Sequence, residues 1–316
     1  MLKYTLKRII LLIPTIIVVL SIVFFLMRMI PGSPVQGLVQ GEDYTREEIE
    51  ELETKMGFND PIWQQYLRYV GNVLSGDWGE SYFNGKPVFQ CMMDVWEPTL
   101  LIAFMSTILT VVIAIPIGIL SATHRNSLLD YFVTSTSVVS MSIPSFCWSL
   151  LLCYFLAYVL KWFRTSGYVY IEKDGFWNAV YCAALPSLSL GLHHVASLAR
   201  YTRSTMLDVL NQDYIRTAKA KGLPKAKIYY KHALKNTLSI VGTSVASSFA
   251  GMLGGTSVTE KVFNIRGMGT LAVNALTRRD YNQEQAIVLF SALICLGMNL
   301  VLDLCYKLLD PRIEYE

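Results

Sequence analysis

Six stretches of the chain contain no Asp, Glu, Lys or Arg over 18 or more residues: 9–27, 98–123, 131–160, 175–199, 236–259 and 285–302. A helix needs ~20 mostly apolar residues to cross the hydrocarbon core of a bilayer, and a helix satisfies its own backbone there. The pattern predicts an all-α integral membrane protein with six transmembrane helices. A soluble bundle of six buried helices would show charged faces between its apolar stripes, and these runs have none. The first run follows Lys3, Lys7 and Arg8. It is longer than the ~7–15 residues of a signal-peptide core and no A-x-A-like site follows, so it is read as a retained anchor.

The connecting segments divide the chain into a tail and first span (1–30), an extracytoplasmic helical segment (31–97) and a five-helix core (98–316) with a loop at 200–235. Orientation follows from Lys and Arg, which concentrate on the cytoplasmic side. With a cytoplasmic N-terminus, segments 1–8, 124–130, 200–235 and 303–316 hold 15 of the 27 basic residues, nine of them in 200–235. An even number of spans returns the C-terminus to the cytoplasm. In the outer segment, Thr45 and Glu48 form a capping-box pattern ahead of Ile49, Leu52 and Met56, and Gly57 suits the helix end. Asp60 suits the cap of a second helix, with Pro61 at its first position and Ile62, Tyr66, Leu67, Val70, Val73 and Leu74 as its apolar face. This segment carries 12 acidic residues between Glu42 and Glu97; it reads either as a partner-facing cap or as a solvated acidic face.

The loop at 200–235 reads as a helix over 203–221 that continues the fourth span, a stop at Gly222, Pro224 opening the next helix, and a helical resumption through Lys225 and Lys227 to Lys235. The result is a basic helical elbow. It could dock on a cytosolic partner or rest on anionic lipid. The fifth run carries Thr243, Ser247, Gly251 and Gly255 four residues apart, so one face has little bulk. That face suits close helix packing or the lining of a pathway.

Composition sharpens the class. Apolar residues make up 53% and charged residues 16% of the chain, against ~25% charged in a typical soluble domain. A net charge of +3 is a weak footprint for nucleic acid. The six cysteines (Cys91, Cys147, Cys153, Cys182, Cys295 and Cys305) include no C-x-x-C pair, which disfavours a zinc ribbon or a thiol-redox motif. His193 and His194 are adjacent in the fourth run and point ~100° apart on a helix, a poor metal pair and no catalytic constellation. Glu260, just past the fifth run, is either a group facing an outer vestibule or a solvated rim charge.

The elbow carries a recognisable pattern. Asp213-Tyr214-Ile215-Arg216-Thr217-Ala218-Lys219-Ala220-Lys221-Gly222-Leu223, continuing to His232-Ala233-Leu234-Lys235-Asn236, resembles the EAA loop of binding-protein-dependent ABC importer permeases of the dipeptide/oligopeptide branch. Arg8, Pro14 and Arg28 ahead of Pro31-Gly32-Ser33-Pro34, then Gly76-Asp77-Trp78-Gly79 with Ser81, Val262-Phe263 with Gly267-Met268-Gly269, and Leu309-Asp310-Pro311-Arg312 are similar to that family in the same order. The chain departs from it where the family usually has proline, at Ile240 and Arg266.

The resemblance implies a type I ABC importer permease fold in the cell membrane. It makes the elbow a coupling helix on a cytosolic ATPase, with Tyr214, Ala218, Lys219, Gly222, Leu223, Lys225 and Lys227 at the coupling positions. Ala218 would allow close approach there. Ser247, Gly251, Gly255 and Glu260 become candidates for the pathway lining. The implied partners are a second homologous permease, two ATP-binding subunits that hold ATP and magnesium, an extracellular solute-binding protein, a peptide solute and the lipid membrane. Nickel, glutathione or a sugar are alternative solutes. The chain has no G-x-x-x-x-G-K-[ST] phosphate loop and is expected to hold no cofactor or metal and to hydrolyse no ATP itself. A lone carrier would need mid-membrane charges or inverted repeats, and an intramembrane enzyme would need paired catalytic groups. The runs supply neither.

Overall fold

The computed structural model describes residues 2–30, 35 and 45–309. In chain order its helices are α1 (Leu2–Met29), α2 (Arg46–Lys55), α3 (Ile62–Leu74), α4 (Val88–Met93), α5 (Trp96–Thr123), α6 (Leu128–Ser142), α7 (Ser145–Leu152), α8 (Ile171–Asp174), α9 (Phe176–Leu210), α10 (Asp213–Ala220), α11 (Leu234–Val262), α12 (Met268–Arg278) and α13 (Tyr281–Leu309). Among the described residues, five helices are long and apolar enough to cross a membrane, and a bent pair, α6 with α7 and its continuation to Val159, brings the number to six when counted as one broken span.

That bend corrects the third expected span, which the uninterrupted run at 131–160 had suggested was one rod. The axis turns by 99° between α6 and α7. Pro144 explains the turn. It lacks an N–H for the helix ladder and pushes the residue before it out of the helical region. Ile143 accordingly sits at φ −87°, ψ 124° and Pro144 at φ −56°, ψ 144°. Beyond α7 the chain widens into a π-helical turn over Cys153–Val159.

The chain forms two compact units: Met1–Glu97 with Gly267–Gly297, and Pro98–Arg266 with Met298–Glu316. Gly267–Gly297 thus groups with the N-terminal residues and not with the span that precedes it. The reason is apolar packing. Val88 and Met92 of α4 share a buried cluster with Met268 of α12 and Ala286 and Ile287 of α13. Polar contacts add to it, since the Ser81 hydroxyl donates to Asp280 and the Tyr82 hydroxyl to Asn282 Oδ1 at 3.0 Å. The capping box forms as the sequence predicts: the Thr45 amide donates to Glu48 Oε2 at 2.8 Å, and the Glu48 amide to Thr45 Oγ1 at 3.4 Å. Pro61, expected as the first residue of α3, is its N-cap instead, and Asp60 pairs with Arg68.

In the second unit, α5 and α9 approach closely along small residues. A β-carbon added at Gly118 would lie 2.6 Å from the Ala199 carbonyl oxygen, and one at Gly191 3.2 Å from that of Ser106. Small side chains permit this approach, and hydroxyls then bond across it. Ser106 Oγ donates to the Ser187 carbonyl at 3.0 Å, and Thr110 Oγ1 to that of Gly191 at 3.2 Å.

Candidate functional site: the helical elbow between α9 and α11

α9 stops at Leu210, and Gln212 is extended at φ −70°, ψ 152° before α10 begins. The single helix expected over 203–221 is therefore two, and the break turns the chain to present α10. At its far end α10 closes with a Schellman arrangement. The Gly222 amide donates to the Lys219 carbonyl at 3.0 Å and the Leu223 amide to that of Ala218 at 3.3 Å. This motif requires a left-handed residue at the position of Gly222, whose φ is +72°. Leu223 packs on the same apolar cluster as Ala218, the hydrophobic contact that usually accompanies the motif. Pro224 is the N-cap of the next turn rather than its first residue; Lys225–Lys227 follow, then a π-helical segment, Ile228–Ala233, that runs into α11.

One face of the elbow is buried and the other is free. Ile215 and Ala218 of α10, with Ile228 and Ala233, join Met206 and Val209 of α9 and Ile119 and Ala122 of α5 in one cluster. Ala218 is 7% exposed, so its small side chain lets α10 press on the chain's own helices. This corrects the expectation that Ala218 meets an outside partner. The outward face presents Tyr214, 41% exposed, with exposed Lys219, Lys221, Lys225 and Lys227. Asn236 Nδ2 donates to the Tyr214 hydroxyl oxygen at 2.6 Å, which ties the start of α10 to α11. The elbow is thus a rigid projection with a basic, aromatic outer surface.

A partly buried ion pair braces α9 just ahead of it. Arg203 Nε and Nη2 donate to Asp130 Oδ1 and Oδ2 at 2.5 and 2.7 Å, a two-pronged pair. Ser121 Oγ and the Asn126 amide complete the carboxylate's shell at 2.5 and 2.9 Å. This joins the end of α5, the start of α6 and α9. Sequence reasoning missed it, since the partners lie 73 residues apart; the only local hint was a charge pair flanking apolar runs.

The pathway candidates separate. Thr243, Ser247 and Gly251 lie on an exposed stripe of α11 with Ile240, Gly254 and Val258; the side chain position of Gly255 lies outside the described residues. The close approach through small residues lies between α5 and α9, and α11 packs on α9 through Val241 and Val245 and not through this stripe. Glu260 does not belong with it. It is 0% exposed, and Thr99 Oγ1 donates to its Oε1 at 2.6 Å. Both readings of Glu260 as a solvent- or vestibule-facing charge are overturned, because α5 covers it. Ile240, at the position where proline was expected, sits within an unbroken α11, and Arg266 is exposed. His193 and His194 meet edge to face at 5.6 Å, and no group of three metal-ligating side chains occurs among the described residues.

Comparison with known proteins completes the picture. Residues 114–315 match the family model described as binding-protein-dependent transport system inner membrane component, and residues 1–103 match the N-terminal model of the same system. The oligopeptide transport system permease protein AppB of Bacillus subtilis (strain 168) is 38% identical, with both chains covered completely. The glutathione transport system permease protein GsiC of Escherichia coli (strain K12) is 35% identical over the full length of both. A chain of the inward-facing MetNI methionine ABC transporter superposes with a TM-score of 0.56 at 16% identity, covering 71% of this chain and 98% of that one. That likeness establishes a shared fold. With six apolar spans, an elbow folded onto its own helices and matched models over nearly its whole length, the chain belongs to the binding-protein-dependent transport system inner membrane components, the integral membrane permeases of ABC importers.

Proposed function

We propose that the chain forms half of the translocation pathway of an ATP-driven importer that takes up peptides delivered by an extracellular binding protein. A second, related permease supplies the other half, and two ATP-binding subunits, which hold ATP and magnesium, dock on the elbow. The elbow carries the proposal. Its inner face is locked into α5, α9 and α11, so force applied to Tyr214 and the lysines passes to the spans instead of bending a loop. The peptide assignment rests on the similarity to AppB, an oligopeptide permease. The similarity to GsiC makes glutathione, itself a short peptide, the second reading.

Two measurements test this. A mild-detergent pull-down from the native membrane should recover a second permease and ATP-binding subunits, and Gly222→Asp should lose the latter. Recovery of the chain alone would overturn the importer assembly. Uptake of labelled oligopeptide by the reconstituted assembly, with unlabelled glutathione as competitor, separates the solutes. Competition at low concentration would favour glutathione, and uptake of neither would end the peptide reading.

A further inference from the structure

The first unit holds a cavity of about 290 Å³ that the translocation reading does not use. This is close to the ~300 Å³ at which small-molecule sites begin. Arg28 enters it from the end of α1. Its Nε donates to Gln65 Oε1 at 3.0 Å, and its other two nitrogens have no hydrogen-bond partner among the described residues. The guanidinium lies 4.5 Å from the centre of the Phe24 ring and 5.5 Å from that of Phe58. Such faces stabilise the charge but accept none of its in-plane hydrogen bonds. Two further polar atoms on the wall are buried without a partner, the Tyr69 hydroxyl and Gln285 Nε2, and Gln285 is only 3% exposed. Leaving a buried polar group unpaired is costly, so Arg28, Tyr69 and Gln285 each bring a donor to the cavity that no side chain on its wall accepts.

The opposite charge is also present. Asp77 lines the cavity, and one of its oxygens accepts the Gly79 amide at 2.9 Å. Trp78 and Tyr82 add aromatic wall. Burial pushes the phenols of Tyr69 and Tyr82 up to about 12, so both remain protonated donors at neutral pH. Arg68, the other cation on the wall, is already paired with Asp60. From this set, Arg28 with two unpaired nitrogens, one carboxylate, two orphaned polar groups and aromatic rings, we infer that the cavity binds a small zwitterion, an amino acid or short peptide, with its carboxylate on Arg28 and its ammonium toward Asp77. A guanidinium matches a carboxylate in a two-pronged, charge-assisted geometry that a lysine does not reproduce. The site lies within the first unit and is independent of the importer reading, because binding is measured on this chain alone.

The test is calorimetric titration of the full chain in detergent with the dipeptide phenylalanylalanine, its C-terminal amide and its N-acetyl derivative. Saturable binding of the dipeptide is expected, with each derivative weaker by about tenfold or more. Arg28→Met should remove binding, Arg28→Lys should retain part of it, and Asp77→Asn should abolish the distinction between dipeptide and N-acetyl derivative. No saturable heat up to the dipeptide's solubility limit, equal affinity for acid and amide, or full binding by folded Arg28→Met would each overturn the inference. If Arg28→Met does not purify as a monodisperse species, the acid-against-amide comparison on the unaltered chain decides.

Discussion

At the scale of single residues, the consequences follow from backbone conformation and burial. Gly222 sits at φ +72° with open space where a β-carbon would go, so a substitution meets a backbone penalty and no clash. Gly222→Ala should therefore cost ~1–2 kcal/mol, and Gly222→Asn less, because Asn tolerates this region. Thermal melts in detergent rank the two. Glu260 is a contrasting case, since its environment and not its backbone decides. Thr99→Val removes a donor from a fully buried carboxylate, and a loss of ~1–3 kcal/mol is expected; a melt unchanged from the parent would show that the carboxylate is otherwise satisfied. Burial also sets an alkaline limit. The folded phenols of Tyr69 and Tyr82 ionise at about 12, whereas an unfolded tyrosine does so at ~10. Their contribution is complete below pH 10 and disappears as pH climbs toward 12, because the unfolded chain releases its protons first. Tyr82→Phe should flatten the fall in melting temperature across that window, and a parallel fall would remove Tyr82 from the account.

At the scale of elements, the Asp130–Arg203 pair fixes the start of α6 to α9, and its geometry separates two kinds of substitution. Removing Arg203 leaves the buried Asp130 carboxylate alone, at up to ~3–5 kcal/mol, removing Asp130 leaves the partly exposed Arg203 and costs less, and replacing both with apolar residues of similar volume is often close to neutral. Arg203→Leu should destabilise strongly and Asp130→Leu less so, and the double variant should recover much of the loss. Additive losses in the double-mutant cycle would mean that the pair is not coupled. This pair also shows where sequence reading stops. The spans, the capping box at Thr45 and the left-handed stop at Gly222 rest on patterns within a few residues, and all are present in the structure. The 99° bend was legible in principle through Pro144, but the absence of charge across 131–160 outweighed a single proline. The inward turn of Ala218, the burial of Glu260 and the Asp130–Arg203 bond were not legible, because each depends on a helix 73 or more residues away or on the packing of several helices at once. Helical periodicity places a residue on a face; it does not say what covers that face.

At the scale of the whole molecule, the stripe Thr243, Ser247 and Gly251 remains uncovered by its own chain while α11 packs on α9 through Val241 and Val245. Other exposed faces of the spans are built from bulky residues of the kind acyl chains accommodate: Ile17, Ile22 and Phe25 on α1 and Phe104, Ile108 and Val112 on α5 are all exposed. Lipid does not require small side chains, but another helix at close range does, since in a membrane association is driven by packing and not by escape from water. The stripe is therefore better suited to a second permease than to acyl chains. Ser247→Leu tests the difference. Position 247 is exposed, so the chain's own stability should change by no more than ~0.5 kcal/mol. If a second permease packs there, the added bulk must force the two backbones apart, and recovery of that permease in a pull-down should fall sharply while the isolated chain melts as before. If the stripe faces lipid, leucine is neutral there and recovery should not change. A fall in both stability and recovery would place the residue inside the chain's own packing, contrary to its exposure.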